Sequence, residues 1–184
     1  MEKLGKLKKN LTKNRISKAH WIWFQFSKSD TEYLNKIKKT VNKSLKGPKF
    51  SVHLTTIGPF LNFDKNELRK VESISKKINQ FKVNLLKYEL NDQKFTALFI
   101  KIKRTKKLLL SKNKFSKTNY IKKNKKYNPH ISLYYGEENN DLKKKIIKKL
   151  PKLNKFVTID KICIVDVNEK INKWRIIKKI KLKK

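Results

Sequence analysis

Ser51-Val-His-Leu-Thr-Thr-Ile-Gly-Pro-Phe60 and Asn128-Pro-His-Ile-Ser-Leu-Tyr-Tyr-Gly136 repeat one pattern: an apolar residue, a histidine, an apolar residue, a hydroxyl residue, and a glycine a few positions on. Strands alternate their side chains between two faces, so His53 shares a face with Thr55 and His130 shares one with Ser132. The chain has only three histidines, and with 19 Ser or Thr in 184 residues a given histidine has about a one in ten chance of a hydroxyl two positions on. Two matched sites arise by accident about once in a hundred. His20 has Ile22 at that position and reads as an ordinary strand-entry residue.

Each motif strand leads into a helix. The first, 50–57, ends at Gly58-Pro59 and precedes a helix over 64–81 with Leu68, Val71, Ile74 and Ile78 on one face. The second, 129–135, is closed by Gly136 and precedes a helix over 141–150 stopped by Pro151. This echo points to two related lobes. Upstream, 20–26 is aromatic and β-branched and reads as a buried strand. Ser29 or Asp30 then caps a helix with Tyr33, Leu34, Ile37, Val41 and Leu45 at helical spacing, stopped by Gly47-Pro48. A hairpin over 83–90 and 95–103 turns at Asn91-Asp92, 104–126 is helix, loop or both, and 156–167 and 174–182 are two final strands.

Two imidazoles suit one chemistry. Opening a cyclic phosphodiester needs one group to take a proton from the attacking water and another to give a proton to the leaving oxygen. An unperturbed imidazole titrates near pH 6.5, so one neutral and one protonated ring coexist around neutrality. Thr55 and Ser132 would donate hydrogen bonds to the non-bridging phosphate oxygens as their charge grows. The scheme calls for no metal and no cofactor.

The paired motifs resemble those of the two-histidine phosphoesterase superfamily, within it the 2',3'-cyclic nucleotide phosphodiesterases and the RNA 2',3'-cyclic phosphodiesterases, also called 2'-5' RNA ligases. The resemblance runs from His20 onward and takes in the aromatic first strand and the closing Trp174-Arg175 strand. It implies an α+β, bilobal fold: two pseudo-symmetric antiparallel sheets with helices outside and a central cleft carrying one His-x-Ser/Thr motif per lobe. It also implies metal-independent hydrolysis of 2',3'-cyclic phosphates, on RNA ends or cyclic nucleotides, to 2'-phosphates. His53 would protonate the leaving 3' oxygen and His130 would activate water, the roles reversing for ligation. Tyr135 matches a family tyrosine near the attacking water, although one of Tyr134 and Tyr135 must face the core. Trp21 and Trp23 share a strand face, and by the same resemblance either is a candidate platform for a base, Trp23 being carried as the candidate substrate-binding residue.

Composition bounds the rest. The 184 residues suit one compact unit, and 38% hydrophobic residues suffice to close a core. With 50 Lys and Arg against 14 Asp and Glu, the net charge of +36 makes an anion the natural ligand. Yet 46 of the basic residues are Lys, beside 18 Asn and 19 Ile, all favoured by AT-rich codons, so part of this charge reflects genome composition. From Gln93 to Gly136 there is no acid, and 12 Lys or Arg fall within 101–126, which makes Lys122, Lys123, Lys125 and Lys126 candidate RNA contacts ahead of the His130 strand. Residues 1–19 read as a basic arm before a single domain over 20–184. The one cysteine, Cys163, excludes an intramolecular disulfide and fits a reducing compartment, so a cytoplasmic monomer is expected. No stretch has the ~18 apolar residues of a membrane span, and the start lacks a secretory apolar centre. The competing reading is a non-catalytic basic RNA-binding protein; a ligase, or a hydrolase of another cyclic phosphate, would use the same residues.

Overall fold

The computed structural model describes residues 19–60, 62–122, 126–168 and 170–184. The basic arm expected over 1–19 thus lies outside the described residues up to position 18, and Ala19 already belongs to the first strand. Among the described residues there are seven strands and four α-helices: β1 (Ala19–Phe26), α1 (Lys28–Ser44), β2 (Leu54–Phe60), α2 (Lys65–Ser75), β3 (Phe81–Leu90), β4 (Leu98–Ile102), α3 (Lys106–Asn113), β5 (His130–Tyr134), α4 (Asn140–Ile147), β6 (Phe156–Val167) and β7 (Arg175–Lys181). No described helix is long and apolar enough to cross a membrane.

The strands pair antiparallel in the order β1-β2-β5-β4-β3-β6-β7, and β6 also pairs with β1, so six of them form a closed circuit with β7 on its outside. Where two sheets were expected, the hydrogen bonding is continuous. β2 meets β5 through the single pair Leu54 and Ile131, and β1 meets β6 along eight residues. One row of side chains shows why this sheet closes over a core. Ile100, Ile131, Leu54, Phe24, Ile162 and Ile180 are successive cross-strand partners on β4, β5, β2, β1, β6 and β7. The first five are completely buried, each contributing about 1.5–3 kcal/mol of apolar burial. Helix α1 lays Leu34, Ile37 and Val41 against this face.

Local chemistry moved several boundaries from their expected places. The cap of α1 is Ser27, not Ser29 or Asp30: its hydroxyl accepts from the Asp30 amide at 3.2 Å and donates to the Asp30 carboxylate at 2.6 Å. That reciprocal pair satisfies the helix start, and Asp30 also accepts from the Thr158 amide at 2.8 Å, tying the helix to β6. β2 begins at Leu54 rather than at residue 50, because the carbonyls of Phe50 and Ser51 are taken by the side chains of Lys38 and His53. It then runs on through Gly58-Pro59 to Phe60. Gly58 has φ +146°, and a side chain there would come within 2.6 Å of the Trp21 ring, so only glycine carries the strand through.

Helix α2 stops at Ser75, well short of residue 81, although Ile78 is buried as its spacing foretold. The Gln80 amide donates to the Lys183 carbonyl at 2.8 Å, and Phe81 enters β3 opposite Ile159. Long-range pairing overrides local helical periodicity here. The basic stretch 104–126 is both helix and loop: α3 is capped by Thr105, which accepts from the Leu108 amide at 3.2 Å, and a short 3-10 turn, Lys114–Lys117, follows.

Candidate active site

The row next to the core row, one residue along each strand, points to the opposite face. It reads Lys101, His130, Thr55, Trp23, Cys163 and Lys179 across β4, β5, β2, β1, β6 and β7. Its one step outside the recorded pairs, from His130 to Thr55, follows from the antiparallel register of Leu54 with Ile131. The same register sets His53 opposite Ser132, which in turn faces Phe99. That register directs the four motif residues toward one another as two crossed pairs, each histidine toward the hydroxyl residue of the other motif. Directly opposed residues in an antiparallel pair have Cβ atoms about 4.5–5.5 Å apart.

Each imidazole is held in the same way. His53 Nδ1 lies 2.7 Å from the Ser51 carbonyl and His130 Nδ1 lies 2.9 Å from the Asn128 carbonyl. A carbonyl only accepts, so Nδ1 carries the hydrogen in both rings and Nε2 is left to exchange protons. His53 is buried and stacks flat on Trp23, with ring centroids 3.6 Å apart and planes 8° apart. Burial pushes the His53 imidazole down to about 3, helped by the nearby charge of His130 and Lys38 and opposed by the Ser51 hydrogen bond. His130, edge-on to Phe99 at 5.2 Å, is lowered for the same reason, burial, and its bond to Asn128 opposes the shift. Both rings are thus neutral near pH 7 in the ligand-free protein.

An aromatic wall surrounds the pair. Tyr135 is buried on the site side, stacked on Phe50 at 4.0 Å and tilted against Phe95 and Trp174. Its phenol is pushed up to about 12 by burial, against a hydrogen bond with Ser132. Tyr134 takes the opposite face, within the main core, where the ring lies so close to Gly136 that any side chain at 136 would collide with it. The expected division of the two tyrosines is therefore realised. Trp23 is nearly inaccessible and has one face occupied by His53, so it supports that imidazole, whereas Trp174 is only half-buried.

Other neighbours were not foreseen. Lys38, on the apolar face of α1, is buried; its ammonium donates to the Phe50 carbonyl and sits 3.1 Å from the centre of the Phe50 ring. Burial pushes it down to about 7. Its position four residues after Leu34 was the available signal. Lys101, the cross-strand neighbour of His130, is held by Glu89 at 3.0 Å. Of the four lysines singled out before His130, Lys123 and Lys125 lie outside the described residues, while Lys122 and Lys126 are exposed. The flanks of that segment are fastened along β2, the Ile121 amide donating to Pro59 at 2.9 Å and the Tyr127 hydroxyl to the Thr55 carbonyl at 2.9 Å. Among the described residues no three His, Cys, Asp or Glu side chains gather as metal ligands would.

No protein-family model matches the chain, and no curated protein matches it. Solved structures do. E. coli LigT complexed with 3'-AMP superposes with a TM-score of 0.62 at 11% identity, over 91% of this chain and 99% of LigT. A structure described as a phosphoesterase gives 0.59 at 10% identity, over 91% and 99%. TT0787 of Thermus thermophilus gives 0.53 at 12% identity, over 89% and 97%. LigT, a 2'-5' RNA ligase of the two-histidine phosphoesterase family, has also been solved with ATP and with NADP+. These likenesses cover nearly the whole of each chain, so they concern the complete fold rather than a shared piece of sheet.

Proposed function

We propose, from a fold shared with the two-histidine phosphoesterases, that this chain hydrolyses 2',3'-cyclic phosphates, on RNA ends or cyclic nucleotides, to 2'-phosphates. The observation that carries the reading is the pairing of Leu54 with Ile131, whose register directs His53 toward Ser132 and Thr55 toward His130, with both imidazoles held by the carbonyl two residues back. The nucleotide complexes of LigT support a nucleotide-sized anion as the ligand of such a cleft.

In this scheme His130 Nε2 takes a proton from water as its oxygen bonds to phosphorus. The bond from phosphorus to O3' breaks, and His53 Nε2 gives its proton to O3', leaving a 2'-phosphate and a 3'-hydroxyl. Thr55 and Ser132 donate to the non-bridging oxygens, where negative charge accumulates. His53 is neutral in the empty site; the bound phosphate's negative charge restores the proton it must donate.

Purified protein incubated with a 2',3'-cyclic mononucleotide and with an oligoribonucleotide ending in a cyclic phosphate, both with chelator present, should form the 2'-phosphate. The position of the product phosphate is read by NMR or by digestion with a 3'-specific phosphatase. A 3'-phosphate product, or a strict need for added divalent ion, would overturn the mechanism. Thr55→Val and Ser132→Ala should each cost about ten- to a hundredfold in kcat, the value of about 1.5–3 kcal/mol for a hydrogen bond to a charged group. Unchanged kcat in both would show that neither hydroxyl meets the phosphate.

A further inference from the structure

We infer that Lys38, buried in α1, is a positioning residue for the reaction: it fixes the backbone at residues 50–51, where a carbonyl holds His53, and the Phe50 ring, on which Tyr135 is stacked. This rests on the phosphodiesterase reading and adds a residue to that site. Lys38 lies on the stripe of α1 that carries Leu34, Ile37 and Val41, and it is nearly as buried as they are. An apolar side chain would fill such a place at less cost, because an ammonium taken out of water needs a partner. No carboxylate pairs with it among the described residues. Lys38 therefore stands where packing alone favours a residue such as leucine, a local conflict of the kind expected beside a functional site.

Both of its contacts lead toward the motifs. The first is to the backbone. Residues 46–53 form neither helix nor strand, so no ladder fixes their carbonyls. Lys38 donates to the Phe50 carbonyl, and the next carbonyl, that of Ser51, lies 2.7 Å from His53 Nδ1. Only two soft dihedrals separate adjacent peptide planes, so releasing the Phe50 carbonyl also releases the group that sets the His53 tautomer. The second contact is to the ring. Lys38 Nζ sits 3.1 Å from the centre of Phe50, and Tyr135 stacks on the same ring at 4.0 Å with planes 17° apart. Nothing fits between rings stacked that closely, so the ammonium and Tyr135 occupy opposite faces of Phe50. Tyr135 in turn hydrogen-bonds with Ser132, the residue toward which the register directs His53.

One ammonium thus braces a residue of each motif, His53 by way of the backbone and Ser132 by way of Phe50 and Tyr135. It does so from behind. Phe50, Ser51 and Val52 line the groove beside His53, and Lys38 does not. Its removal should therefore disturb the chemical step, through the orientation of the proton donor, more than the binding of the phosphate.

The test combines steady-state kinetics on a 2',3'-cyclic mononucleotide with nitrogen NMR of the isotope-labelled imidazoles, whose shifts report which ring nitrogen carries the hydrogen. Lys38→Met, with a stem of similar length and no donor, should lower kcat about ten- to a hundredfold, the scale of a misplaced catalytic group, and leave KM within about threefold. In the same variant His53 should pass from the Nδ1-protonated form to a mixture of tautomers, while His130, held by the Asn128 carbonyl, keeps its own. Lys38→Leu repeats the removal if the methionine variant does not fold. A folded variant with kcat within about twofold of wild type, or a slow one whose His53 tautomer is unchanged, would overturn the inference. So would an equal change at His130, the mark of a general loosening. If the wild type hydrolyses no cyclic phosphate, the phosphodiesterase reading falls, and the placing of His53 by Lys38 is judged by the NMR spectra alone.

Discussion

His53→Ala and His130→Ala should each lower the turnover of a 2',3'-cyclic phosphate by at least about 10²-fold, the effect of a positioned proton transfer, which spans about 10²–10⁴. In the proposed mechanism the two losses come from different steps, since one variant lacks the donor to O3' and the other the acceptor from water. Because both steps fall in a single passage over the transition state, the double variant should be little worse than either single one. Alanine at 53 also empties the space against Trp23, so a second pair separates chemistry from packing. In His53→Asn and His130→Asn the amide keeps a donor near the position of Nδ1, for the Ser51 or Asn128 carbonyl, but has nothing that titrates. Both should remain folded by circular dichroism and remain slow. His20, which stacks on Phe63 at 5.1 Å and faces away from the motif row, should tolerate alanine with turnover near the wild-type value. A folded asparagine variant with near-normal turnover would remove that imidazole from the mechanism.

Strand alternation made the motif faces legible in the sequence, because His53 with Thr55, and His130 with Ser132, need only a local period of two. How the motifs meet was not legible. The crossed pairing depends on Leu54 finding Ile131, a register set by tertiary packing between segments far apart in the chain. Lys101 and Phe99 join the site through a second long-range register, that of β4 with β5. Lys38 was hidden for another reason: 46 lysines make any one of them unremarked, although its place in the stripe of Leu34, Ile37 and Val41 marked it as buried. The displaced limits of β2 and α2 follow the same logic. Side chains of Lys38 and His53 take carbonyls that an extended strand would have used, and Lys183 takes the amide of Gln80.

Acid should weaken the fold through His53 more than through an ordinary histidine, and His53→Phe should remove that weakness. The physical origin is burial, which pushes His53 down to about 3 in the folded chain, while in the unfolded chain it titrates near 6.5. Between those values the unfolded chain binds the extra proton. The stability contributed by the neutral ring is therefore fully present above pH 6.5 and is lost as the pH falls toward the folded value. At pH 4.5, two pH units below the unfolded value, the loss is about 3 kcal/mol. Phenylalanine keeps a ring against Trp23 and cannot be protonated. Urea unfolding of both chains at pH 7.5 and pH 4.5 isolates the effect, because every carboxylate and His130 are common to the two and cancel in the comparison. Wild type should lose about 3 kcal/mol more than the variant over that interval. Adding a 2'-phosphorylated mononucleotide should narrow the gap, since a bound phosphate supplies the counter-charge the protonated ring lacks. Equal losses in the two chains would show that His53 is not held neutral by the fold. The same burial that makes the empty site acid-sensitive would then no longer explain how phosphate binding primes the imidazole to give up its proton to O3'.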